Sequence, residues 1–364
     1  MNSKTKNRVA VAMSGGVDSS AAALILKKEG YDVIGISMKL WEGVSSGKGR
    51  CCSLEDFRDA RRVADILEIP YYVVNMQDDF KNRVVNNFVE NYLAASTPNP
   101  CIMCNQEMKF DLLMKKVSEL GADRLATGHY ARIEYNKNKG RFLLKKGINT
   151  KKDQSYFLFS MTQEQLSRVL FPLGNFENKA DVRALLRDAG IQISEKEESQ
   201  DICFVDDKGY AAFIEGLMRD KTVKKGKILS PHGEVLGDHD GIHKFTIGQR
   251  RGLGIASNRR KYVVGFDHGG HDVILGDESG LMSNGLIARN TNFISMEELK
   301  EKCHAAAKIR YSENQHDCFL SPGDNGNILV EFEKPQRAVT PGQAVAFYDG
   351  DEVLGGGWIE RAIK

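Results

Sequence analysis

The sequence predicts an α/β protein in which a parallel-sheet domain is followed by smaller β-rich modules. Three observations carry this. Strand-like and helix-like segments alternate through roughly the first two hundred residues, and strands separated by helices pair in parallel with helices covering both faces. From about Lys221 onward, short β-like runs are separated by Gly, Asp, His and Pro, as in small antiparallel modules. The 364-residue length also exceeds one small core and fits two or three domains.

Taken in order, Arg8 to Met13 is a short apolar strand ending in a Gly-rich turn. Asp18 to Glu29 has the Ala and Leu spacing of a helix that stops at Gly30. Tyr31 to Met38 is a strand, Leu54 to Leu67 an amphipathic helix capped by Ser53, Tyr71 to Asn75 a strand and Asp78 to Leu93 a helix. Ser96 to Pro100, with two prolines, reads as an extended loop. A helix over Gln106 to Leu120, a strand over Arg124 to Gly128 and a hairpin turning at Asn136 to Gly140 follow. Helices resume at Thr162 to Val169 and Lys179 to Ala189, and Ser199 to Val205 reads as a loop feeding a short strand. Beyond Lys221 the expected strands include Gly226 to Leu229, Glu234 to Leu236, Tyr262 to Phe266, Val273 to Leu275, Ile328 to Glu333 and Ala344 to Tyr348, with one helix over Ser295 to Lys302.

A hydrophobic fraction of 41% with 27% charged residues is ordinary for a globular protein. No stretch approaches the roughly 18 apolar residues of a membrane span, and the N-terminal residues match neither a secretory signal nor an Arg-rich presequence, so a cytoplasmic location with no membrane partner is expected. A net charge of +2 excludes a polycation that coats nucleic acid indiscriminately. Two basic clusters stand out, Lys221, Lys224, Lys225 and Lys227, and Arg250, Arg251, Arg259, Arg260 and Lys261; each is a solvated face or a phosphate-binding patch. Seven cysteines, an odd count, suit reactive or metal-binding thiols better than a disulfide framework. Cys51 and Cys52, Cys303 and Cys318 read as ordinary thiols, whereas Cys101 and Cys104 form a C-x-x-C.

The chemistry begins at Ser14-Gly15-Gly16-Val17-Asp18-Ser19-Ser20, between a strand and a helix. Glycines let a backbone approach an anion closely, converging N–H groups receive it and the helix dipole favours it. Asp18 fits a phosphate site if it holds Mg²⁺ or orients the loop. The segment has no Walker A lysine, which disfavours ordinary P-loop phosphoryl transfer.

This heptapeptide resembles the pyrophosphate loop of the N-type ATP pyrophosphatases, which cleave ATP between the α and β phosphates and make an oxygen adenylate. Thr97 to Asn105 (TPNPCIMCN) and Ser199 to Phe204 (SQDICF) resemble the two active-site segments of the tRNA 2-thiouridylases of the MnmA/TrmU type. Further matches are Thr127 to Tyr130, Lys152 to Phe157, Thr246 to Arg250, Arg310 with Tyr311, and Thr340 to Gln343, in the family's order over nearly the whole chain.

The resemblance implies an adenine-nucleotide α-hydrolase-like catalytic domain over 1–215, a small central β-rich tRNA-binding domain over 216–278 and a C-terminal β-barrel over 279–364. It implies a tRNA substrate whose wobble uridine exchanges its C2 oxygen for sulfur. A carbonyl oxygen leaves poorly, so adenylation with ATP and Mg²⁺ lets it depart as AMP before sulfur attacks. ATP is expected against Ala12, Met13, Ser14, Gly15, Gly16, Val17, Asp18, Ser19, Met38 and Gly128. Asn99, Pro100 and Cys101 would flank the target base, flipped out of its stack, and His129, Lys152, Asp153, Gln154, Arg310, Tyr311 and Gln343 would contact tRNA. Cys203 matches the persulfide carrier and Cys104 the thiol that releases its sulfur, leaving a disulfide. The sulfur donor would be a cysteine desulfurase, a sulfur-relay protein or inorganic sulfide.

Cys101 departs from the family's usual Asp at that position. Cys101, Cys104 and Cys203 therefore also resemble the three-cysteine pattern of tRNA thiolases holding a [4Fe-4S] cluster, and the persulfide, cluster and zinc readings stay open here. Two rival functions are an amidotransferase or ligase with the same loop, which would not need Cys104 and Cys203, and a non-catalytic tRNA-binding iron-sulfur protein.

Overall fold

A computed structural model describes residues 8–41, 53–193, 202–218, 225–267 and 269–364. Cys51, Cys52, Lys221 and Lys224 lie outside the described residues, as do Ser199, Gln200 and Asp201 of the Ser199 to Val205 segment.

The strands in chain order begin with β1 (Arg8–Ala12), β2 (Asp32–Lys39), β3 (Tyr71–Asn75) and β4 (Arg124–Ala126). A hairpin of β5 (Ala131–Asn136) and β6 (Arg141–Lys146) follows, then the short β7 (Val169–Leu170). The first sheet has the order β3-β2-β1-β4-β7, and all its pairings are parallel. Residue alternation makes it two-faced. Ala10, Ile34 and Ile36 join one core with Phe80, Phe88 and Leu113. Val9, Val11 and Val33 join another with Leu24, Val63 and Val182. Helices on both faces explain why these strands read as nearly continuous apolar runs.

Strand order reverses between β1 and β4, since the chain runs outward from β1 to β3 before returning to β4 on the other side. In such sheets ligands bind beyond the carboxyl ends of the strands at this switch point. The loop at Ser14 follows β1, and the loop at Thr127 follows β4.

The middle module has strands β8 (Gly226–Leu229), β9 (Val235–His239), β10 (Tyr262–Phe266) and β11 (Val273–Gly276), ordered β10-β11-β8-β9. Its core holds Ile228, Ile242, Phe245, Val263, Val273 and Leu275. Then come β12 (Met282–Phe293), β13 (Cys303–Lys308), β14 (His316–Pro322), β15 (Ile328–Arg337), β16 (Ala344–Asp349) and β17 (Glu352–Ile363). Their order is β12-β15-β14-β13-β16-β17, and β17 pairs back to β12, which closes a barrel. β17 also pairs with β6, Glu352 opposite Lys145 and Val353 opposite Leu144, so the hairpin of the first domain extends the barrel sheet. A Cβ on Gly356 would meet the Val345 carbonyl oxygen at 2.5 Å and the Phe159 ring at 2.6 Å; glycine there lets the barrel wall press against the first domain.

Three expectations need correction. The helix over Ser295 to Lys302 does not form. The backbone N–H groups of Ile294 and Ser295 both donate to the Leu354 carbonyl, at 2.8 and 3.3 Å, and Met296 and Leu299 pack on the barrel core. Ile202 to Val205 is a turn, closed by Val205 N–H donating to the Ile202 carbonyl at 3.1 Å, not a strand. The extended segment ends before Pro100 rather than after it. Pro100 opens a helix, Pro100–Met103, because proline suits the first helical position and the Asn99 side chain caps it. That helix continues as a π-helical stretch, Cys104–Leu113, and an α-helical end, Met114–Glu119. A helix over Gly209–Leu217 had no counterpart among the expected elements. Among the described residues no helix is long and apolar enough to cross a membrane.

Candidate active site

The loop after β1 is built to leave backbone donors open. Gly16 caps the helix Val17–Lys28 without any side-chain hydrogen bond, so the first-turn N–H groups are not consumed by a capping side chain. The hydroxyls brace the loop. Ser19 Oγ accepts from Ser14 N–H at 3.1 Å and donates to the Gly16 carbonyl at 3.1 Å, and Ser20 Oγ donates to the same carbonyl at 2.9 Å. Gly15 has φ +72°, and a Cβ there would lie 2.3 Å from the Asp56 carbonyl oxygen, so geometry and space both demand glycine. Met13 is held by its N–H to the Ile36 carbonyl at 2.8 Å, and its own carbonyl accepts from Ser37 Oγ at 2.5 Å. Ala12 ends β1, Met38 is the last residue but one of the neighbouring β2, and both are half-buried.

Gly128 comes up against this loop from the end of β4, where a Cβ would lie 2.7 Å from the Asp18 carbonyl carbon and 2.8 Å from the Ser19 nitrogen. The expected ATP residues are thus assembled from three strand ends at the switch point. Two partners of Asp18 were not anticipated. Tyr130 Oη donates to Asp18 Oδ1 at 2.9 Å, and Lys179 Nζ lies 3.1 Å from Asp18 Oδ2. The sequence signal was present, since Lys179 is a cation at the first position of a helix, where the dipole disfavours it.

Next to Gly128, Thr127 Oγ1 and His129 Nδ1 are 2.6 Å apart. Burial pushes the His129 imidazole well below its ordinary range, and the charge of Lys109 adds to this. His129 is therefore neutral at pH 7, and it packs against Phe110 and Phe171 with ring centroids 6.0 and 5.8 Å away. Phe110 sits on the helix that carries Cys104, which links the nucleotide loop to the cysteine segment through Gly128, His129 and Phe110.

Cys101 is exposed, while Cys104 and Cys203 are half-buried and lean on one common core. Phe204, beside Cys203, is locked between Phe80 and Phe88 with centroids 5.5 and 5.3 Å away, and Trp41 lies 6.5 Å off. Among the described residues no three His, Cys, Asp or Glu side chains gather as a metal site. Cys101, Cys104 and Cys203 do not form such a group here. Cys318 is buried in the barrel and its thiol is pushed up to about 12, mainly by burial, which suits a packing residue.

The expected tRNA residues divide into two kinds. Asp153 faces inward: Gly147 N–H and Ser155 N–H donate to Oδ1, both at 3.1 Å, and Ser155 Oγ donates to Oδ2 at 2.9 Å. Gln154 Oε1 accepts from Tyr130 N–H at 3.0 Å. Arg310 pairs with Glu313 at 2.6 Å and donates to the Ala338 carbonyl. Gln343 Nε2 donates to the Thr97 and Pro98 carbonyls. These four brace the loops around the site. Tyr311 is instead exposed beside Phe157, with centroids 4.6 Å apart, and Lys308 Nζ lies 5.3 Å from its ring centroid. Lys152, next to Asp153 in sequence, is half-buried. In the middle module Lys227 is paired with Asp238 at 2.5 Å and Lys225 with Asp240 at 3.5 Å, while Arg250, Arg251, Arg259 and Arg260 are exposed.

Comparison with known proteins fits this assembly. Family models described as the tRNA methyl transferase HUP domain, the tRNA methyl transferase PRC-barrel domain and the aminomethyltransferase beta-barrel domain match residues 7–207, 213–277 and 283–359. The tRNA-specific 2-thiouridylase MnmA 1 of Caldanaerobacter subterraneus subsp. tengcongensis is 48% identical over 99% of this chain and 100% of its own. The MnmA of Geotalea uraniireducens is 51% identical over 100% of this chain and 97% of its own, and that of Acetivibrio thermocellus 49% over 98% and 100%. With half the residues identical from end to end, this chain belongs to the tRNA-specific 2-thiouridylase family.

Proposed function

We propose that the chain is a tRNA 2-thiouridine synthase acting in the cytoplasm, in which ATP adenylates the C2 oxygen of a wobble uridine and sulfur then replaces that oxygen. The observation that carries this reading is the link from the nucleotide loop, through Gly128, His129 and Phe110, to the helix bearing Cys104, with Cys203 on the same core. One centre then holds groups for both adenylation and sulfur transfer.

In the first step the uridine O2 attacks the α phosphorus and pyrophosphate leaves. The open first-turn amides of the helix Val17–Lys28 receive the phosphates, with Mg²⁺ accompanying them. In the second, a persulfide on Cys203, whose outer sulfur is passed on from the persulfide of a desulfurase or relay protein as that protein's cysteine leaves as a thiolate, is attacked by the Cys104 thiolate. The S–S bond within the persulfide breaks, hydrosulfide adds to C2 and AMP departs with the oxygen. A Cys104–Cys203 disulfide remains, and a dithiol reductant resets it. Asn99, Pro100 and Cys101 flank the flipped base, Tyr311 offers an aromatic face, and His129, neutral, acts by hydrogen bonding or stacking rather than by charge. Lys152, Asp153, Gln154, Arg310 and Gln343 shape the tRNA surface. The working parts are the catalytic domain over 1–215, the central module over 216–278 and the barrel over 279–364.

The deciding experiment is a thiolation assay with ATP, Mg²⁺, tRNA and a cysteine desulfurase with cysteine as persulfide donor, on anaerobically purified protein, with iron and acid-labile sulfide analysed in parallel. Thiouridine formed by iron-free protein is the expected result; no thiouridine with any tRNA carrying a wobble uridine overturns the reading, and activity that tracks iron content overturns the two-cysteine route.

A further inference from the structure

The heptapeptide Ser14 to Ser20 contains no cation, although a site for ATP has to neutralise a polyphosphate of several negative charges. The described structure supplies a cation from elsewhere. Lys179 opens the helix Lys179–Asp188, which lies against the helix Val17–Lys28 through a shared core that includes Ala21, Leu24, Val182 and Leu186. Its ammonium sits 3.1 Å from Asp18 Oδ2, and the side chain is only 15% exposed against 32% for Asp18. A lysine at the first position of a helix opposes the helix dipole, and holding it partly dehydrated costs further free energy. Asp18 compensates for that placement by pairing with the ammonium. The other Asp18 oxygen accepts from Tyr130, so the carboxylate is held at both oxygens beside the open amides.

We propose that Lys179 is the phosphate-neutralising residue of the nucleotide site, exchanging Asp18 for the β- and γ-phosphate oxygens when ATP binds and so releasing the Asp18 carboxylate for Mg²⁺. The proposal rests on the adenylation reading for its consequence: as the bond from the α phosphorus to the bridging oxygen breaks, negative charge grows on the departing pyrophosphate, and the Lys179 ammonium stabilises it there. A loop without a lysine then has its cation delivered by a helix from later in the chain, along with the freedom to withdraw it when pyrophosphate leaves.

The test is equilibrium binding to the full chain, without tRNA, of three probes in the presence of Mg²⁺: ATP, pyrophosphate and AMP. Lys179→Gln should weaken ATP and pyrophosphate by about tenfold or more, the loss of a charge-assisted contact, and leave AMP within about twofold. Lys179→Arg should restore most of the ATP affinity, because charge is what the site requires. Melting temperatures of both variants report on folding, and if the Gln variant fails to fold the Arg variant still reads the charge requirement against wild type in Mg²⁺ titrations. Parallel weakening of all three probes overturns the proposal in favour of a purely structural ion pair, as does unchanged ATP affinity. Absence of thiolation with the expected binding pattern would instead overturn the proposed function and leave this inference standing.

Discussion

Gln343, on the barrel, donates its side-chain amide to the backbone carbonyls of both Thr97 and Pro98, each at 3.2 Å, and Thr97 N–H donates in turn to the Pro341 carbonyl at 2.9 Å. The barrel thus clamps the chain just before the helix that carries Cys101 and Cys104. Neutral hydrogen bonds of this kind contribute about 1 kcal/mol each. Gln343→Ala should lower the thiolation rate several-fold with ATP affinity unchanged, measured by single-turnover thiouridine formation and nucleotide titration. An equal loss of ATP binding would count against the clamp.

Gly128→Ala places a methyl group 2.7 Å from the Asp18 backbone. The atoms it meets are main chain and move only with the loop, so overpacking of about 1–3 kcal/mol is expected. ATP affinity should fall at least tenfold, while tRNA binding measured without nucleotide stays near wild type.

Cys203→Ala and Cys104→Ala should both abolish thiouridine while tRNA-dependent release of pyrophosphate continues, because adenylation precedes sulfur transfer. Wild-type thiouridine from either variant would remove that cysteine from the mechanism. Asp18→Ala should instead stop pyrophosphate release itself.

The acid limb of stability has a defined sign. Burial holds the folded His129 imidazole well below its ordinary value, so as pH falls through about 6.5 the unfolded chain takes up a proton that the folded protein does not. Stability contributed by neutral His129 is present above that range and is lost below it. In His129→Gln the drop in melting temperature between pH ~7 and pH ~5.5 should be smaller than in wild type; an identical drop would show that His129 does not carry it.

Much of the first domain was legible because its signals are local. The apolar runs of β1 and β2, the Ser53 capping box and the Gly-rich turn each specify their own geometry. The same holds for the nucleotide loop and the C-x-x-C. What escaped was decided by distant partners. Ser295 to Lys302 has a helical pattern, yet its first backbone donors go to Leu354. Lys179 joins Asp18 across 161 positions of sequence, beyond any local spacing rule.

Exposed glycine-rich edges are usually a liability in β structure, and here the run Gly355-Gly356-Gly357 is covered by Phe159 and flanking strands. Gly356→Ala should lower the melting temperature by an amount equivalent to about 1–3 kcal/mol, since the added methyl meets a carbonyl and an aromatic ring at once.

The pairing of β6 with β17 changes what counts as a separable piece of this protein. A chain cut after residue 278 would leave β6 with a bare hydrogen-bonding edge, and the excised barrel would bare the matching stretch of β17. Each fragment would then carry a sticky seam able to recruit strands from other molecules. Evolutionary shuffling of the barrel onto another catalytic domain would require bringing the hairpin Ala131–Lys146 with it, so the two modules are expected to be inherited together.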